Sequence, residues 1–148
     1  MLVRDLMQHD VVTLKLNESL GLADDIMELA RIRHLPVLSG SVVVGVVSQR
    51  DLYRAAVSSM LQMPRPTERE WLANIPVHGV MSANVFTIAP DASVHTAVEM
   101  MLTHRIGCLP VVEHGKLVGL VSETDCLRYL ARVLGISEQK DCLPELPQ

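Results

Sequence analysis

Apolar residues recur every three or four positions in two stretches of the chain, and this spacing predicts an amphipathic helix in each. A serine precedes each stretch, Ser19 in one and Ser93 in the other, and its side-chain oxygen can cap the first free amides of a helix. After each predicted helix come an apolar run containing proline, a turn containing glycine and a second apolar run, which is typical of two paired strands. The helical apolar positions are Leu20, Ala23, Ile26, Met27 and Ala30, and Val94, Ala97, Met100 and Met101.

The second half of this pattern repeats the first without a gap, 74 positions further along. Leu35-Pro36-Val37 aligns with Leu109-Pro110-Val111, and the segment 45–51 aligns with 119–125. Self-similarity in a fixed register indicates that both halves share one structure. We therefore expect two repeats related by a pseudo-two-fold axis, with the apolar face of each closing on the other.

Each half predicts the order β-α-β-β-α, an α/β (α+β) fold with both helices on one face of a small sheet. A short turn (3–8 and 77–82) and a brief extended stretch (11–14 and 85–88) precede the first helix, and a second helix runs from Asp51 to about Met60 and from Asp125 to about Leu134. The predicted boundaries are 1–60 and 77–135 for the repeats, 61–76 for a linker and 136–148 for a flexible tail.

The linker contains Thr67-Glu-Arg-Glu70, which fits a capping box and predicts a short helix. This helix carries Trp71, for which two roles stay open. It is either a lid over the edge of the module or a contact between two chains.

Composition excludes several classes of protein. Of 148 residues, 49% are hydrophobic and 20% charged, which is enough apolar surface for a core and excludes intrinsic disorder. A net charge of −4 and only 3% aromatic residues disfavour nucleic acid as a partner. The three cysteines form no CxxC pair, the N-terminus lacks the pattern of a signal peptide, and the longest apolar run is too short to cross a bilayer. We expect a cytoplasmic protein with no membrane association.

A serine followed three residues later by aspartate stands at each predicted strand-to-helix junction: Ser48 with Asp51, and Ser122 with Asp125. Unpaired amides at a helix start favour an anion, the hydroxyl can bond a phosphate or ribose oxygen, and the carboxylate suits the two hydroxyls of a ribose. The preceding Gly45 and Gly119 allow another group to approach the backbone. The alternative is that serine and aspartate form an ordinary helix cap.

The two copies differ in charge. Arg50 and His34 could contact a phosphate, whereas their mates Thr124 and Cys108 offer less. Arg50 would serve either its own copy or, across the pseudo-axis, a ligand held by Asp125; alternatively it is a solvated surface charge. Aliphatic side chains could enclose an adenine, and the candidates are Val11, Val12, Val37, Val85 and Val111.

The duplicated Leu-Pro-Val strand and the duplicated Gly-apolar-apolar-Ser-x-x-Asp element resemble a tandem pair of CBS domains, over about residues 1–134. The pair is similar to the stand-alone pairs of the acetoin-utilisation type. The resemblance implies that the aspartate binds ribose, the serine binds phosphate or ribose, and the strand backbone binds the adenine edge. The candidate ligand-binding residues are Val11, Val12, Thr13, His34, Leu35, Pro36, Val37, Gly45, Ser48, Arg50, Asp51, Val85, Phe86, Thr87, Cys108, Leu109, Pro110, Val111, Gly119, Ser122, Thr124 and Asp125.

No residue set pairs a nucleophile with a base, so we expect no catalysis, no catalytic cofactor and no metal. The predicted function is a regulatory sensor whose ligand is an adenosine nucleotide (AMP, ADP or ATP, with S-adenosylmethionine or NAD as secondary candidates). The resemblance also implies a homodimer, and the sensor would act on an effector protein that the sequence does not identify. The alternatives are a structural dimerisation scaffold with vestigial sites, and a small enzyme or metal protein that uses His and Cys.

Overall fold

In the computed structural model, which describes residues 1–60 and 68–137, the first repeat follows the predicted order β-α-β-β-α, and the second follows it from its first helix onward. The mixed α+β class is confirmed. The elements are a 3-10 turn (Val3–Asp5), β1 (Leu14–Lys15), α1 (Leu20–Ala30), β2 (His34–Ser39), β3 (Val42–Ser48), α2 (Gln49–Met60), α3 (Glu68–Ala73), a second 3-10 turn (Val77–Gly79), α4 (Val94–His104), β4 (Cys108–Glu113), β5 (Lys116–Ser122) and α5 (Glu123–Val133).

The first helix of each repeat is capped as its sequence predicts. Ser19 Oγ accepts a hydrogen bond from the amide of Leu22 at 3.2 Å, and Ser93 Oγ accepts one from the amide of Thr96 at 3.0 Å. Both helices end at an arginine in the left-handed conformation, with φ of 54° in each case. Identical caps at matched positions give α1 and α4 the same length of 11 residues.

The sheets are smaller than the sequence suggested. In the first repeat β1 pairs in parallel with β2, which pairs antiparallel with β3; in the second, β4 and β5 form an antiparallel pair. The expected strand 11–14 is reduced to β1, and the expected strand 85–88 to one parallel bridge from Ile88 to Val111. Further before β1, Gln8 forms an antiparallel bridge with Leu120 of the other repeat.

The first turn of each repeat packs into the core of the other repeat. Val3 is fully buried in the second core, among residues such as Leu109, and Val77 is fully buried in the first core, beside Leu35. Backbone bonds fix the exchange, since Val3 N donates to Ala92 O at 2.8 Å and Val77 N donates to Glu18 O at 2.8 Å. The strands β3 and β5 also contact each other, so the two repeats pack directly together.

The second helix of each repeat begins two residues earlier than expected, at Gln49 and Glu123. This places the motif aspartate third in the helix, the position from which a carboxylate caps the residue before the helix. Trp71 is half-buried against the first core. The predicted cap at Thr67 and the predicted tail beyond residue 137 lie outside the described residues.

Among the helices that the structure describes, none combines the length and the apolar character needed to cross a membrane.

Candidate functional site

Both Ser-x-x-Asp motifs form helix caps. Ser48 N donates to Asp51 Oδ2 at 2.8 Å, and Asp51 N donates to Ser48 Oγ at 3.1 Å. The second copy repeats this geometry: Ser122 N donates to Asp125 Oδ2 at 2.8 Å, and Asp125 N donates to Ser122 Oγ at 3.3 Å. Each cap uses one carboxylate oxygen and leaves the other oxygen outside the cap.

The other oxygen differs between the copies. Asp51 is half-buried, and no group within the described residues donates to its Oδ1. Asp125 is only 4% exposed, and its Oδ1 accepts a hydrogen bond of 2.7 Å from Gln8 Nε2. An outward acceptor for a ligand hydroxyl therefore exists at Asp51 and is engaged at Asp125.

A cleft of about 690 Å³ opens between the repeats beside Asp51, within the size range of small-molecule sites. Both repeats line it, and Asp125 is not among its residues. Arg50 and Asp51 both line this cleft. Eight of the candidate residues come together here, namely His34, Ser48, Arg50, Asp51, Val85, Phe86, Cys108 and Pro110.

Positive charge dominates the walls of this cleft. Arg33, Arg50, Arg54 and Arg105 line it, against two acidic side chains, Asp51 and Glu123. Arginine binds phosphate through two parallel N–H donors, so such a cluster suits a ligand with several phosphate oxygens.

His34 and Cys108 begin the matched strands β2 and β4 and meet the opposite repeat at the cleft floor. A Cβ added to Gly107 would lie 2.8 Å from His34 Nε2, so the imidazole rests on the backbone of the second repeat. Burial lowers the pKa of His34, with Glu123 opposing the shift. Burial, followed by the charge of Glu123, raises the pKa of Cys108 to about 12. At neutral pH the cleft is therefore lined by a neutral His34 imidazole and a protonated Cys108 thiol.

The remaining candidates lie away from the cleft. Val37 and Val111 were expected to enclose an adenine, but both are fully buried in the two cores, because alternate residues of a strand face opposite sides. Candidates absent from the cleft lining are Val11, Val12, Thr13, Leu35, Pro36, Val37, Gly45, Thr87, Leu109, Val111, Gly119, Ser122, Thr124 and Asp125.

Each motif glycine packs against a methionine side chain of the same chain. A Cβ on Gly45 would overlap the side chain of Met81, and a Cβ on Gly119 would lie 2.5 Å from Met7 Sδ and 2.9 Å from Gln8 O. Met7 and Met81 belong to the exchanged first turns. The close approach inferred from the sequence is therefore a contact between the repeats, and it serves the fold.

Sequence reasoning missed several cleft residues. Arg54 was detectable, because it follows Arg50 by four positions and so shares its helix face. Ser82 had no such signal: it reaches the cleft through its antiparallel bridge with Val46 of the other repeat.

Comparison with known proteins gives the family. The CBS domain model matches residues 3–58 and 77–132, the two repeats described above. The chain belongs to the CBS domain family. The resemblance inferred from the duplicated motifs is thereby confirmed.

Other CBS proteins share the whole arrangement. A crystal structure from Vibrio cholerae, provisionally identified as an acetoin utilization protein (AcuB), is 32% identical with a TM-score of 0.75, covering 95% of this chain and 98% of that one. A CBS domain-containing protein of Dictyostelium discoideum is 31% identical over 135 residues, 90% of this chain and 93% of its own length. The CBS pair of protein MJ0100, crystallised with 5′-methylthioadenosine and S-adenosyl-L-methionine, shares the fold at 24% identity, with a TM-score of 0.76 over 90% of this chain and 98% of that one.

Some relatives are much longer than this chain. It spans 45% of the length of one curated relative and 13% of another.

Proposed function

We propose that this CBS pair is a regulatory module without catalytic activity that binds an adenosine-containing nucleotide in the cleft between its repeats. AMP, ADP and ATP are the first candidates. One observation carries the proposal: an aspartate with an oxygen open to a ligand shares a cleft with four arginines.

The cleft offers a partner for each part of such a nucleotide. Asp51 Oδ1 accepts from the ribose hydroxyls, and the arginines bind phosphate oxygens. Half-buried Val85 and Phe86 supply apolar surface for the adenine.

Charge discriminates among the adenosyl ligands. S-adenosylmethionine carries a sulfonium cation, which four arginines against two carboxylates would repel. NAD has a second nucleoside to accommodate. Adenosine phosphates therefore fit the walls better than either secondary candidate.

The ligand would act by changing how the repeats pack. Ser48, Asp51 and Arg50 come from the first repeat, while Val85 and Phe86 come from the second, so a bound nucleotide contacts both. It shifts their relative arrangement only if its affinity differs between two arrangements. We propose that an effector protein recognises this difference.

The test is calorimetric titration of adenosine, AMP, ADP and ATP into the parent and Asp51→Asn. Asparagine can still cap Ser48 N but loses the charge, so AMP affinity should fall at least about tenfold, the effect of losing a charge-assisted hydrogen bond. Asp91→Asn, an exposed position outside the cleft, is the matched control. Equal affinity in all three proteins would reject the site.

We also propose that two chains form a homodimer through exposed apolar helix faces. Tyr53 on α2 and Leu127 on α5 occupy matched positions and are 59% and 62% exposed, with Leu130 and Val133 continuing the surface on α5. Light scattering should give twice the mass of one chain, and a monomer at micromolar concentration would reject this part. A chain that dimerises but binds no adenosine nucleotide would instead be the scaffold with vestigial sites.

A further inference from the structure

We propose that Gln8 closes the second copy of the site, so that the chain binds one nucleotide beside Asp51 and none beside Asp125. The inference rests on the proposed function and specifies its stoichiometry. The contact that carries it is the 2.7 Å hydrogen bond from Gln8 Nε2 to Asp125 Oδ1.

Each carboxylate oxygen of Asp125 already accepts a hydrogen bond from within the chain. Its Oδ2 accepts from both Ser122 N and Ser122 Oγ at 2.8 Å, and its Oδ1 accepts from Gln8 while Arg128 Nη1 lies 3.9 Å away. Because Asp125 is only 4% exposed and Gln8 is bonded to its Oδ1, a ribose hydroxyl could replace this bond only if the Gln8 side chain moved away. The amide of Gln8 makes the hydrogen bond that a ribose hydroxyl would otherwise make.

The backbone holds Gln8 at this place. Gln8 N donates to Leu120 O at 2.8 Å, and Leu120 N donates to Gln8 O at 3.0 Å. The matched position in the other half is Ser82, which makes the same bridge to Val46 at 3.0 and 3.2 Å. Two equivalent backbone positions therefore differ in side-chain length. Glutamine spans the distance to its aspartate, whereas Ser82 lines the open cleft beside Asp51.

The charges of the second copy agree with its closure. Relative to the first motif, Arg50 is replaced by Thr124, whereas both members of the matched pairs 33/107 and 34/108 line the cleft beside Asp51. The second motif therefore lacks the arginine that could contact phosphate. If opened, the second copy would favour adenosine or AMP over ATP, so AMP is the probe that both copies could bind.

The decisive experiment exchanges the two side chains. In calorimetry with AMP, the parent should bind one equivalent per chain. Gln8→Ser should bind two, and adding Asp125→Asn should return the count to one. Ser82→Gln should place an amide beside Asp51 and weaken the parent site at least tenfold. Ser82→Leu, of similar length but without the amide, should weaken it less.

The outcomes separate this inference from the proposed function. Two equivalents in the parent, or one in Gln8→Ser, would overturn the closure while leaving nucleotide binding intact. Binding by Gln8→Ser alone, with none by the parent, would support the closure and reject the site at Asp51. No binding by either protein would reject both. Far-UV circular dichroism confirms that each variant is folded, and Ser82→Gln, at an exposed position, provides a test that does not depend on Gln8→Ser folding.

Discussion

At the scale of single residues, the two motif aspartates show how one short pattern acquires two roles. Asp51 and Asp125 make the same bond to the serine amide, because the first turn of a helix leaves that amide without an intrahelical partner. What distinguishes them is the second oxygen, which Gln8 engages at Asp125. A helix cap and a ligand site are therefore compatible in one carboxylate, provided that no side chain of the protein itself reaches its outer oxygen.

Arg50 provides a prediction at this scale. Arg50 is exposed at the cleft, so Arg50→Ala should leave adenosine affinity within about twofold and lower ATP affinity by about three- to fivefold, since solvent weakens an exposed charge contact. The loss should shrink at high salt, because screening acts on the phosphate contact. Calorimetry at two salt concentrations measures both effects.

Arg132→Ala, an exposed arginine on α5 outside the cleft, is the control. Equal losses for adenosine and ATP in Arg50→Ala would mean that Arg50 supports the start of α2 instead of contacting phosphate. No loss for either ligand would assign it to the solvated surface.

At the scale of elements, the contact between each first turn and the opposite strand depends on a missing side chain. Gly119 in β5 faces Met7, and Gly45 in β3 faces Met81. Since the strand has no Cβ at these places, the turn approaches closely enough for Gln8 and Ser82 to bond the neighbouring strand residues. At this contact the long Gln8 side chain reaches Asp125, whereas the short Ser82 side chain leaves Asp51 open to the cleft.

This contact predicts an order of stabilities. Gly119→Ala should lower the free energy of unfolding by about 1–3 kcal/mol, as overpacking in a core does. Gly45→Ala should cost less, because its obstacle is the flexible Met81 side chain, whereas Gly119 also faces a backbone oxygen. Urea unfolding measures both. Gly79→Ala, where a Cβ would meet nothing within 4 Å, should change least, and any other order would contradict this packing.

At the scale of the whole molecule, the exchanged turns make the core of each repeat depend on a residue of the other. Val3 belongs to the second core and Val77 to the first, so neither repeat completes its core from its own residues. A nucleotide in the cleft would therefore act on a structure whose halves already depend on each other.

Val3→Ala tests this dependence. It should cost roughly 2 kcal/mol, the transfer and cavity terms for a buried valine losing two methyl groups. Trp71, the single tryptophan, packs against the first core, far from the substitution in sequence. In Val3→Ala, the urea midpoint measured by Trp71 fluorescence should nevertheless fall together with the midpoint measured by circular dichroism. A midpoint for Trp71 that stays at the parent value would show independent repeats. Val42→Ala, at a position 54% exposed, is the control and should change little.

The amino-acid sequence alone was sufficient to predict the repeat, the order of most elements, the serine caps and the CBS family. These follow from local regularities: apolar periodicity, capping side chains at helix starts and glycine at fixed positions, each set by residues a few places apart. Two identical registers reinforced one another, so the fold class could be predicted. The shorter strands were the exception, because a strand exists only where a partner is available to pair with it.

Which of the two motifs faces an open cleft can be seen in the tertiary structure and not in the sequence. Gln8 and Asp125 lie 117 positions apart, and nothing in either segment indicates that the amide reaches the carboxylate. Likewise, Arg105 of the second repeat shares the cleft with Arg50 only because the two repeats pack there. The sequence placed equivalent chemistry in both halves. The exchange of first turns put a long side chain beside one aspartate and a short one beside the other, and this made the two sites unequal.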